Sequence, residues 1–173
     1  TYFPRLCKNE VGAFCLTEPE SGSDAFALQS KAVDMGDHWL LNGQKVFITN
    51  AAEANLFVFF ANINPELGYK GITAFLIEKG HPGLRLGKRE KKLGIRSSST
   101  CEVIVENLKL PKDQLIGELG KGYKIAIETL NEGRIGIASQ MLGLSRGAFD
   151  AAFRYAGERS QFDRAIKDFQ SIQ

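Results

Sequence analysis

Hydroxyl, carboxylate and glycine residues crowd the stretch at residues 14–24, directly after an apolar run with the alternation of a strand. Pro19 cannot donate to a sheet ladder, so we expect the strand to end before it and a loop to follow. Residues 21–24 offer two small hydroxyls and several backbone N–H groups, and Gly22 permits the close approach of a ligand. The loop could therefore hold an anionic or strongly polar ligand. A plain solvent-exposed turn has the same composition, and the loop alone does not separate the two.

Charged side chains elsewhere give weaker signals of chemistry. Arg134 lies on a predicted helix, where a guanidinium could bind a phosphate or stack on an adenine, although an isolated helix arginine is more often an exposed charge. The basic run at residues 88–92 could attract an acidic partner, and a solvated loop is the simpler interpretation. His38 and His81 adjoin turns without companion residues, so no metal site and no nucleophilic triad is predicted.

Short strands separated by turn residues are predicted from residue 11 to about residue 119. Apolar alternation or continuous apolar runs predict strands at residues 11–17, 29–33, 39–41, 45–49, 56–63, 71–78 and 99–105. Turns are predicted at residues 35–38, 42–43, 64–68 and 81–83. Asn42-Gly43 between apolar runs is the strongest short hairpin signal among them. This spacing of strands predicts an all-β sandwich or barrel.

Helical periodicity replaces strand alternation after Gly120. Apolar residues recur at steps of three or four and form a stripe that other helices must cover: Ile127, Leu130, Ile137, Met141, Leu144, Ala148, Ala152 and Tyr155. We expect a further helix to begin near Gln173. The predicted fold class is α+β, with a remnant of an N-terminal helical domain at residues 1–10, a middle β-barrel-like domain at residues 11–119, and the first helices of an α-helical bundle domain at residues 120–173. The rest of both helical domains is expected to be absent.

Composition argues against several classes of protein. The chain is 43% hydrophobic and 24% charged, and its 22 basic and 20 acidic residues give a net charge of +2. That balance predicts binding neither to nucleic acid nor to a membrane surface. Cys7, Cys15 and Cys101 form no C-x-x-C pair, which favours a reducing compartment. No apolar stretch reaches the roughly 20 residues of a membrane helix, so no membrane insertion is expected.

Five motifs occur in order along the chain: Thr-Glu-Pro-x-x-Gly-Ser-Asp at residues 17–24, Phe-Ile-Thr-Asn at 47–50, Gly-Ile-Thr-Ala-Phe at 71–75, Lys-Leu-Gly-Ile-Arg-Ser-Ser at 92–98, and Asn-Glu-Gly-Arg at 131–134. Together they resemble the acyl-CoA dehydrogenase family, and the short/branched-chain acyl-CoA dehydrogenases most of all. The resemblance runs from about Val11 to Gln173. Several collinear motifs are far more specific than any single one.

The resemblance implies that FAD is bound. Its ring would lie against residues 14–23 and 47–49, with hydroxyls of Thr17 and Thr49 bonding the ring edges and Ser23 where the flavin and CoA segments meet. Phe47 replaces the tryptophan that is usual in the family, so stacking on the flavin ring is kept and an indole N–H is lost. Pro-Glu-Ser at residues 19–21 replaces the commoner Pro-Gly-Ala. The implied cofactor contacts are Phe14, Cys15, Leu16, Thr17, Gly22, Ser23, Phe47, Ile48 and Thr49, with Arg159 and Gln170 reaching the FAD of a neighbouring subunit.

The implied reaction is the α,β-dehydrogenation of a short or short-branched acyl-CoA to 2-enoyl-CoA in fatty-acid or branched-chain amino-acid catabolism. A carboxylate removes the α-proton while the β-hydride passes to the flavin. Some family members carry this glutamate at the position of Gly133, whereas the short/branched-chain type carries it far downstream. We therefore expect the base beyond Gln173, and Glu132, about 100° round the helix, does not replace it. The implied substrate contacts are Ser23, Tyr69, Tyr123, Asn131, Glu132, Gly133 and Arg134.

The resemblance also implies partners and a location. Electrons would pass to an electron-transfer flavoprotein, and the full-length enzyme would be a homotetramer in the mitochondrial matrix, or in the cytoplasm if bacterial. Because the base and the flanking helical domains are expected outside these 173 residues, the chain by itself should hold little FAD and be inactive. Two alternatives remain: an acyl-CoA oxidase of the same fold, which passes electrons to oxygen, and a non-catalytic CoA- or flavin-binding module.

Overall fold

The computed structural model describes residues 2–173, which form two compact units. The first unit extends to Ile127, and the second comprises Glu128–Gln173. The first unit is built mainly from β-strands, and the second from most of one long α-helix and a small hairpin. This order confirms the predicted α+β fold class. The domain boundaries after residues 10 and 119 stay predictions.

Eight strands make up most of the first unit. They are β1 (Gly12–Cys15), β2 (Lys31–Asp34), β3 (His38–Thr49), β4 (Leu56–Asn62), β5 (Ile72–Glu78), β6 (Leu84–Arg89), β7 (Thr100–Pro111) and β8 (Leu115–Ile116). A short helix, α1 (Phe3–Leu6), precedes them, and two 3-10 helices lie at Pro65–Gly71 and Lys112–Gln114. The turns predicted at residues 35–38 and 81–83 contain Gly36 and Gly83, both with positive φ as tight turns require.

The sheet consists of two halves that face each other across one core. The strand order is β6-β7-β3-β2-β4-β5-β8, and β1 pairs with β4 in parallel. The halves join where β2 meets β4, at the single pairing of Lys31 with Asn62. Trp39 of one half packs edge-to-face on Phe75 of the other, with ring centroids 5.5 Å apart. Two sheet halves sharing a core in this way is the packing expected of a sandwich or barrel.

The core explains why β4 reads as a continuous apolar run. Phe57, Phe59 and Phe60 of β4 are all fully buried, so both faces of this strand are covered. A strand buried on both faces loses the alternation of a half-exposed one. The strands predicted at residues 56–63 and 71–78 are confirmed as β4 and β5, with bounds shifted by one residue.

The hairpin turn predicted at Asn42-Gly43 is wrong. β3 continues through both residues, which lack the positive φ of such a turn, and its register with β7 shifts between Leu41 and Gly43. A Cβ on Gly43 would lie 2.1 Å from the Ser30 hydroxyl oxygen, so glycine serves close packing there. The Asn42 side-chain oxygen accepts a hydrogen bond from the N–H of Asn107 at 2.8 Å. The Asn-Gly pair therefore forms an irregularity inside a strand.

Four further features differ from prediction. β6 was not predicted, because its residues include glycine and the start of the basic run, and Lys88 and Arg89 belong to it. β7 continues to Pro111 instead of ending near Val105. The strand predicted at residues 29–33 begins at Lys31. Residues 160–173 form a hairpin and a 3-10 helix, so no α-helix begins in that segment.

One helix, α2 (Gly122–Glu158), starts in the first unit and makes up most of the second. At its start, a Cβ on Gly122 would lie 2.7 Å from the backbone of Thr73, so the helix approaches β5 closely there. A hairpin follows, formed by β9 (Ser160–Gln161) and β10 (Arg164–Ala165). In residues 2–173, no helix has the length and apolar character to cross a membrane. The same residues contain no His, Cys, Asp and Glu cluster suited to a metal ion.

Candidate functional site

Two segments predicted to line a ligand, residues 14–23 and 47–49, come together in the first unit. The N–H of Val46 donates to the Thr17 carbonyl at 2.9 Å, which joins the end of the first segment to the start of the second. Glu18 and Ser21 exchange backbone hydrogen bonds of 3.0 and 3.1 Å and close a tight loop. The Ser21 hydroxyl donates to the Asp24 carbonyl at 2.7 Å, so this hydroxyl stabilises the loop and its proton is not available to a ligand. The proline-containing turn is therefore held at both ends.

Only some of the predicted ligand contacts present their side chains to the surface. Phe47 is 64% exposed, Thr49 is exposed, and Thr17 is half-buried. Gly22 and Ser23 are exposed, and a Cβ added to Gly22 would meet nothing within 4 Å. Cys15, Leu16 and Ile48 are buried in the core, so their side chains are unavailable to a ligand. Half-buried Phe14 packs edge-to-face on Phe60, at 5.0 Å between ring centroids.

Phe47 is held in an unusual backbone conformation. Its φ is 57°, in the left-handed region, and Asn50 has a φ of 59°. The register between β3 and β7 shifts between Lys45 and Ile48, so a bulge lies at this point. A left-handed backbone is uncommon for a bulky residue, and such strain gathers at functional sites. Here it accompanies an aromatic ring that faces outward.

A hydrogen-bonded network fixes the segment that follows Thr49. The N–H of Asn50 donates to the Ser99 carbonyl at 2.9 Å, and the Ser98 hydroxyl donates to the Asn50 side chain at 2.7 Å. The Ser99 hydroxyl accepts from the N–H of Ala52 at 3.1 Å and donates to Glu53. That hydrogen bond lowers the pKa of the Glu53 carboxyl. The motif at residues 92–98 is thereby tied to the motif at residues 47–50.

A buried ion pair, which was not predicted from the sequence, joins the segment at residues 14–23 to β3 just before residues 47–49. Lys45 Nζ lies 2.6 Å from Glu18 Oε1, and the side chains are 0% and 3% exposed. The same ammonium donates to the Leu16 carbonyl at 3.1 Å. The Glu18 carboxylate also accepts the N–H groups of Gln29 at 2.6 Å and Ser30 at 3.1 Å. A lysine in an otherwise apolar strand was the available signal, yet nothing in the sequence identifies its partner.

The electrostatics of this pair favour the ionised carboxylate. Burial by itself raises the pKa of Glu18, but the Lys45 ammonium and the N–H donors lower it by more, so it lies below its ordinary value. Burial lowers the pKa of Lys45, and the Glu18 carboxylate opposes that effect. Burial also raises the pKa of the neighbouring Cys15 thiol to about 12. Cys15 is therefore a neutral thiol at physiological pH and no nucleophile.

Two predicted substrate contacts meet at another place in the first unit. Tyr69, from the 3-10 helix Pro65–Gly71, packs edge-to-face on Tyr123, with ring centroids 4.9 Å apart. Tyr69 is about half exposed and Tyr123 is partly buried. Gly120 lets the backbone before α2 approach Lys70 closely, because a Cβ at this position would lie 2.6 Å from the Lys70 carbonyl oxygen. The pair offers a partly open aromatic surface.

The remaining candidates lie in the second unit, all on exposed positions. Arg134 donates from Nη1 to the Asn131 side-chain oxygen at 2.7 Å, which orients the guanidinium along the helix. Glu132 and Gly133 lie beside them, and a Cβ on Gly133 would meet nothing within 4 Å. Arg159, just after α2, and Gln170 are also exposed. These assignments stay predictions, as do those of the first unit.

The first-unit surface has a definite chemical character. The accessible groups of the two joined segments are one aromatic ring, two threonine hydroxyls and a glycine-containing backbone. Such a set suits a flat heteroaromatic ligand with polar edges and an attached anionic group. None of its exposed residues is a strong nucleophile. Groups of these types can bind and orient a ligand.

Comparisons with known proteins cover almost the whole chain. The family model described as acyl-CoA dehydrogenase, middle domain, matches residues 13–108. The model described as acyl-CoA dehydrogenase, C-terminal domain, matches residues 120–173.

Individual relatives agree. A probable short/branched chain specific acyl-CoA dehydrogenase from Dictyostelium discoideum is 58% identical over 99% of this chain and 42% of its own length. The mitochondrial short/branched chain specific acyl-CoA dehydrogenase of Rattus norvegicus is 50% identical over 100% of the chain and 40% of its own length. A Bacillus anthracis acyl-CoA dehydrogenase structure complexed with FAD is similar with a TM-score of 0.83 and 40% identity, over 92% of this chain and 28% of that one. The chain spans about two fifths of the length of the curated relatives it matches.

Proposed function

Because this chain belongs to the acyl-CoA dehydrogenase family, we propose that it serves an FAD-dependent enzyme that converts short or short-branched acyl-CoA to 2-enoyl-CoA. The observation that carries the proposal is the union of the segments at residues 14–23 and 47–49 through the 2.9 Å hydrogen bond between Val46 and Thr17. We assign the exposed ring of Phe47, the threonine hydroxyls of these segments and the open backbone at Gly22 to one binding surface. The 58% identity with a short/branched chain relative supports the substrate class.

The residues present fit a flavin. Phe47 supplies a flat apolar face, Thr17 and Thr49 supply hydroxyls for the polar edges of the ring, and the exposed backbone at Gly22 accommodates a charged group. When bound, FAD would accept the hydride that leaves the β-carbon of the acyl chain. The side chains of Cys15, Leu16 and Ile48 are buried, so we assign these residues a supporting role beside the exposed groups. The FAD complex of the similar Bacillus anthracis protein supports this assignment.

Within the first unit, we assign Tyr69 and Tyr123 to the CoA moiety, and Ser23 to the junction of cofactor and substrate. The paired tyrosine rings offer an aromatic surface on which an adenine or the pantetheine chain could rest. Within the second unit, we assign Arg134 to CoA as well, since a guanidinium oriented by Asn131 can meet a phosphate with two donors. Glu132 and Gly133 complete that motif.

No catalytic base is assigned in residues 2–173. Glu132 is exposed on α2, and the family resemblance places the base of the short/branched-chain type downstream of Gln173. The neutral Cys15 thiol is also unsuited, because burial raises its pKa to about 12. The α-proton would therefore pass to a carboxylate supplied from outside this segment.

The proposal includes a partner, an assembly and a location. Electrons would pass on to an electron-transfer flavoprotein, and the enzyme would be a homotetramer in which Arg159 and Gln170 reach the FAD of a neighbouring subunit. The mitochondrial name of the rat relative supports a mitochondrial matrix location, with the cytoplasm as its bacterial counterpart.

Anaerobic reduction of the full-length protein by 2-methylbutyryl-CoA tests the function. We expect the flavin absorption band to bleach on mixing and to return on addition of an electron-transfer flavoprotein. Absence of bleaching with any acyl-CoA would contradict the dehydrogenase and indicate a binding module. Rapid reoxidation by air with release of peroxide would indicate an oxidase instead.

A further inference from the structure

Among the described residues of the first unit, Glu18 and Lys45 form the least solvent-accessible ion pair, and they join three separate parts of the chain. Lys45 Nζ contacts Glu18 Oε1 at 2.6 Å and the Leu16 carbonyl at 3.1 Å. The Glu18 carboxylate accepts the N–H groups of Gln29 and Ser30 at 2.6 and 3.1 Å. Residues 16–18, residues 29–30 and the middle of β3 therefore converge on one pair of charges.

Stability alone does not account for this pair. Moving two charges out of water is costly, and replacing a buried ion pair by neutral side chains of similar size often leaves stability unchanged or increases it. What the pair provides is geometry, because an ammonium and a carboxylate with these partners fit only one arrangement of the chain. Lys45 Nζ also lies 4.9 Å from the centre of the Phe59 ring, which fixes the ammonium from the core side.

The pair lies where it controls the two ligand-lining segments. Glu18 directly follows Thr17, and Lys45 directly precedes Val46, whose N–H bonds the Thr17 carbonyl. Phe47 follows with its left-handed backbone. Loss of the contact between Glu18 and Lys45 can therefore be passed through the backbone to Thr17 and Phe47.

We propose that Glu18 and Lys45 are positioning residues for the flavin: their buried contact sets the spacing between Thr17 and Phe47, which would bond and stack the ring. This inference rests on the proposed function, and it assigns the pair no direct contact with the cofactor. The effect passes through the backbone at Leu16, Thr17 and Val46. Around metal sites, removing outer partners that orient the ligating groups typically costs 10–100-fold in affinity or activity, and we expect an effect of similar size here.

A neutral double variant, Glu18→Gln with Lys45→Met, tests the proposal in the full-length protein. It leaves no uncompensated buried charge, so the protein should fold. We expect the Kd for FAD to be at least about tenfold higher than in the wild type. The flavin absorption band should also shift, because the environment of the ring changes. The matched control, Arg85→Met, removes an exposed ion pair with Glu106 on β6 and β7 and should change neither.

Amide hydrogen exchange gives a second readout that does not need the cofactor, and its wild-type arm does not need the variant. In the wild-type protein, the N–H groups of Ser30 and Val46 should exchange as slowly as those of the β4 core. In the double variant they should exchange at least about tenfold faster while β4 is unchanged. Exchange of these two amides at loop rates in the wild-type protein would overturn the proposal, even if the double variant fails to fold.

The outcomes distinguish the positioning role of the ion pair from the proposed function. A folded double variant with wild-type Kd and spectrum would overturn the positioning role and leave the proposed function intact. A full-length wild-type protein that binds no FAD would overturn the proposed function itself.

Discussion

At the scale of single residues, the left-handed backbone of Phe47 marks the proposed binding surface. An aromatic residue gains nothing from this conformation in a free chain, and here its ring is 64% exposed instead of packed in the core. The conformation aims the ring outward at the point where β3 shifts register against β7. Glu18 and Lys45 beneath it show the complementary case of polar groups fully withdrawn from water.

Replacing Phe47 by glycine should separate stability from binding. Glycine adopts a positive φ without strain, and little core contact is lost, so the free energy of unfolding should be unchanged or rise by about 1 kcal/mol. FAD affinity should fall, because the stacking face is removed. Urea unfolding and flavin titration of the full-length protein measure the two effects. Phe57→Ala, in the core, is the contrasting control, with a loss of about 3–5 kcal/mol. Unchanged FAD affinity in Phe47→Gly would contradict the stacking role.

Acid should weaken the contribution of Glu18. Its pKa in the folded chain lies below the ordinary value, so its contribution is present above the unfolded pKa of about 4.3 and disappears as the pH falls through the lower folded value. Glu18→Gln should therefore cost about 3–5 kcal/mol at pH 7, where Lys45 is left unpaired, and much less near pH 2. Urea unfolding of the wild type and Glu18→Gln between pH 7 and pH 2 measures whether their stabilities approach each other as the pH falls.

The control for this pH dependence is Glu106→Gln, which breaks the exposed pair with Arg85. Its cost should stay below about 1 kcal/mol at every pH. If the stability difference between wild type and Glu18→Gln were the same at pH 7 and pH 2, the ionised state of the buried carboxylate would be contradicted.

At the scale of elements, β3 is the strand on which the site depends. It runs through Asn42 and Gly43, pairs with β2 on one edge and β7 on the other, and delivers Lys45, Phe47 and Thr49 to their places. Its continuity requires the missing side chain of Gly43, because Ser30 of the neighbouring segment occupies that space. The same Ser30 donates its N–H to Glu18.

Gly43→Ala should accordingly disturb β3. The added Cβ would lie 2.1 Å from the Ser30 hydroxyl oxygen and 2.9 Å from its Cα, so the strand or the Ser30 segment must shift. We expect a loss of about 1–3 kcal/mol in the free energy of unfolding, together with weaker FAD binding. Gly94→Ala is the matched control, since a Cβ at Gly94 meets nothing within 4 Å and its φ is not positive. Equal stability of the two variants would show that β3 tolerates the side chain.

At the scale of the whole molecule, the sheet unit and the helical unit differ in how they bury apolar residues. The sheet unit encloses a core of fully buried aromatic and aliphatic side chains. In the second unit, Ile137, Met141 and Leu144 of the predicted stripe are 59%, 42% and 66% exposed. Contiguous apolar surface of this kind favours association.

Residues 1–173 produced on their own should therefore self-associate as their concentration rises. Leu144→Lys should shift the equilibrium towards the monomer, because burying its ammonium in an interface is costly. Ser139→Lys, on another face of α2, should leave it unchanged. Sedimentation velocity at several concentrations measures both, and a chain that stays monomeric throughout would contradict the expectation.

Local sequence determined the identity of the motifs and the order of the main strands and the long helix. Apolar patterns, turn residues and helical periodicity are properties of neighbouring residues, and they predict β4, β5 and the switch to helix after Gly120. The five collinear motifs can likewise be read from local sequence. Only the tertiary structure decided that β3 passes straight through Asn42-Gly43, because a turn and a bulge differ by the partner strand and by Ser30, which lies 13 residues away in sequence. It also decided that Lys45 is buried against Glu18, 27 residues earlier. A charge becomes buried only when the fold supplies its counter-charge and donors, and no local pattern carries that information.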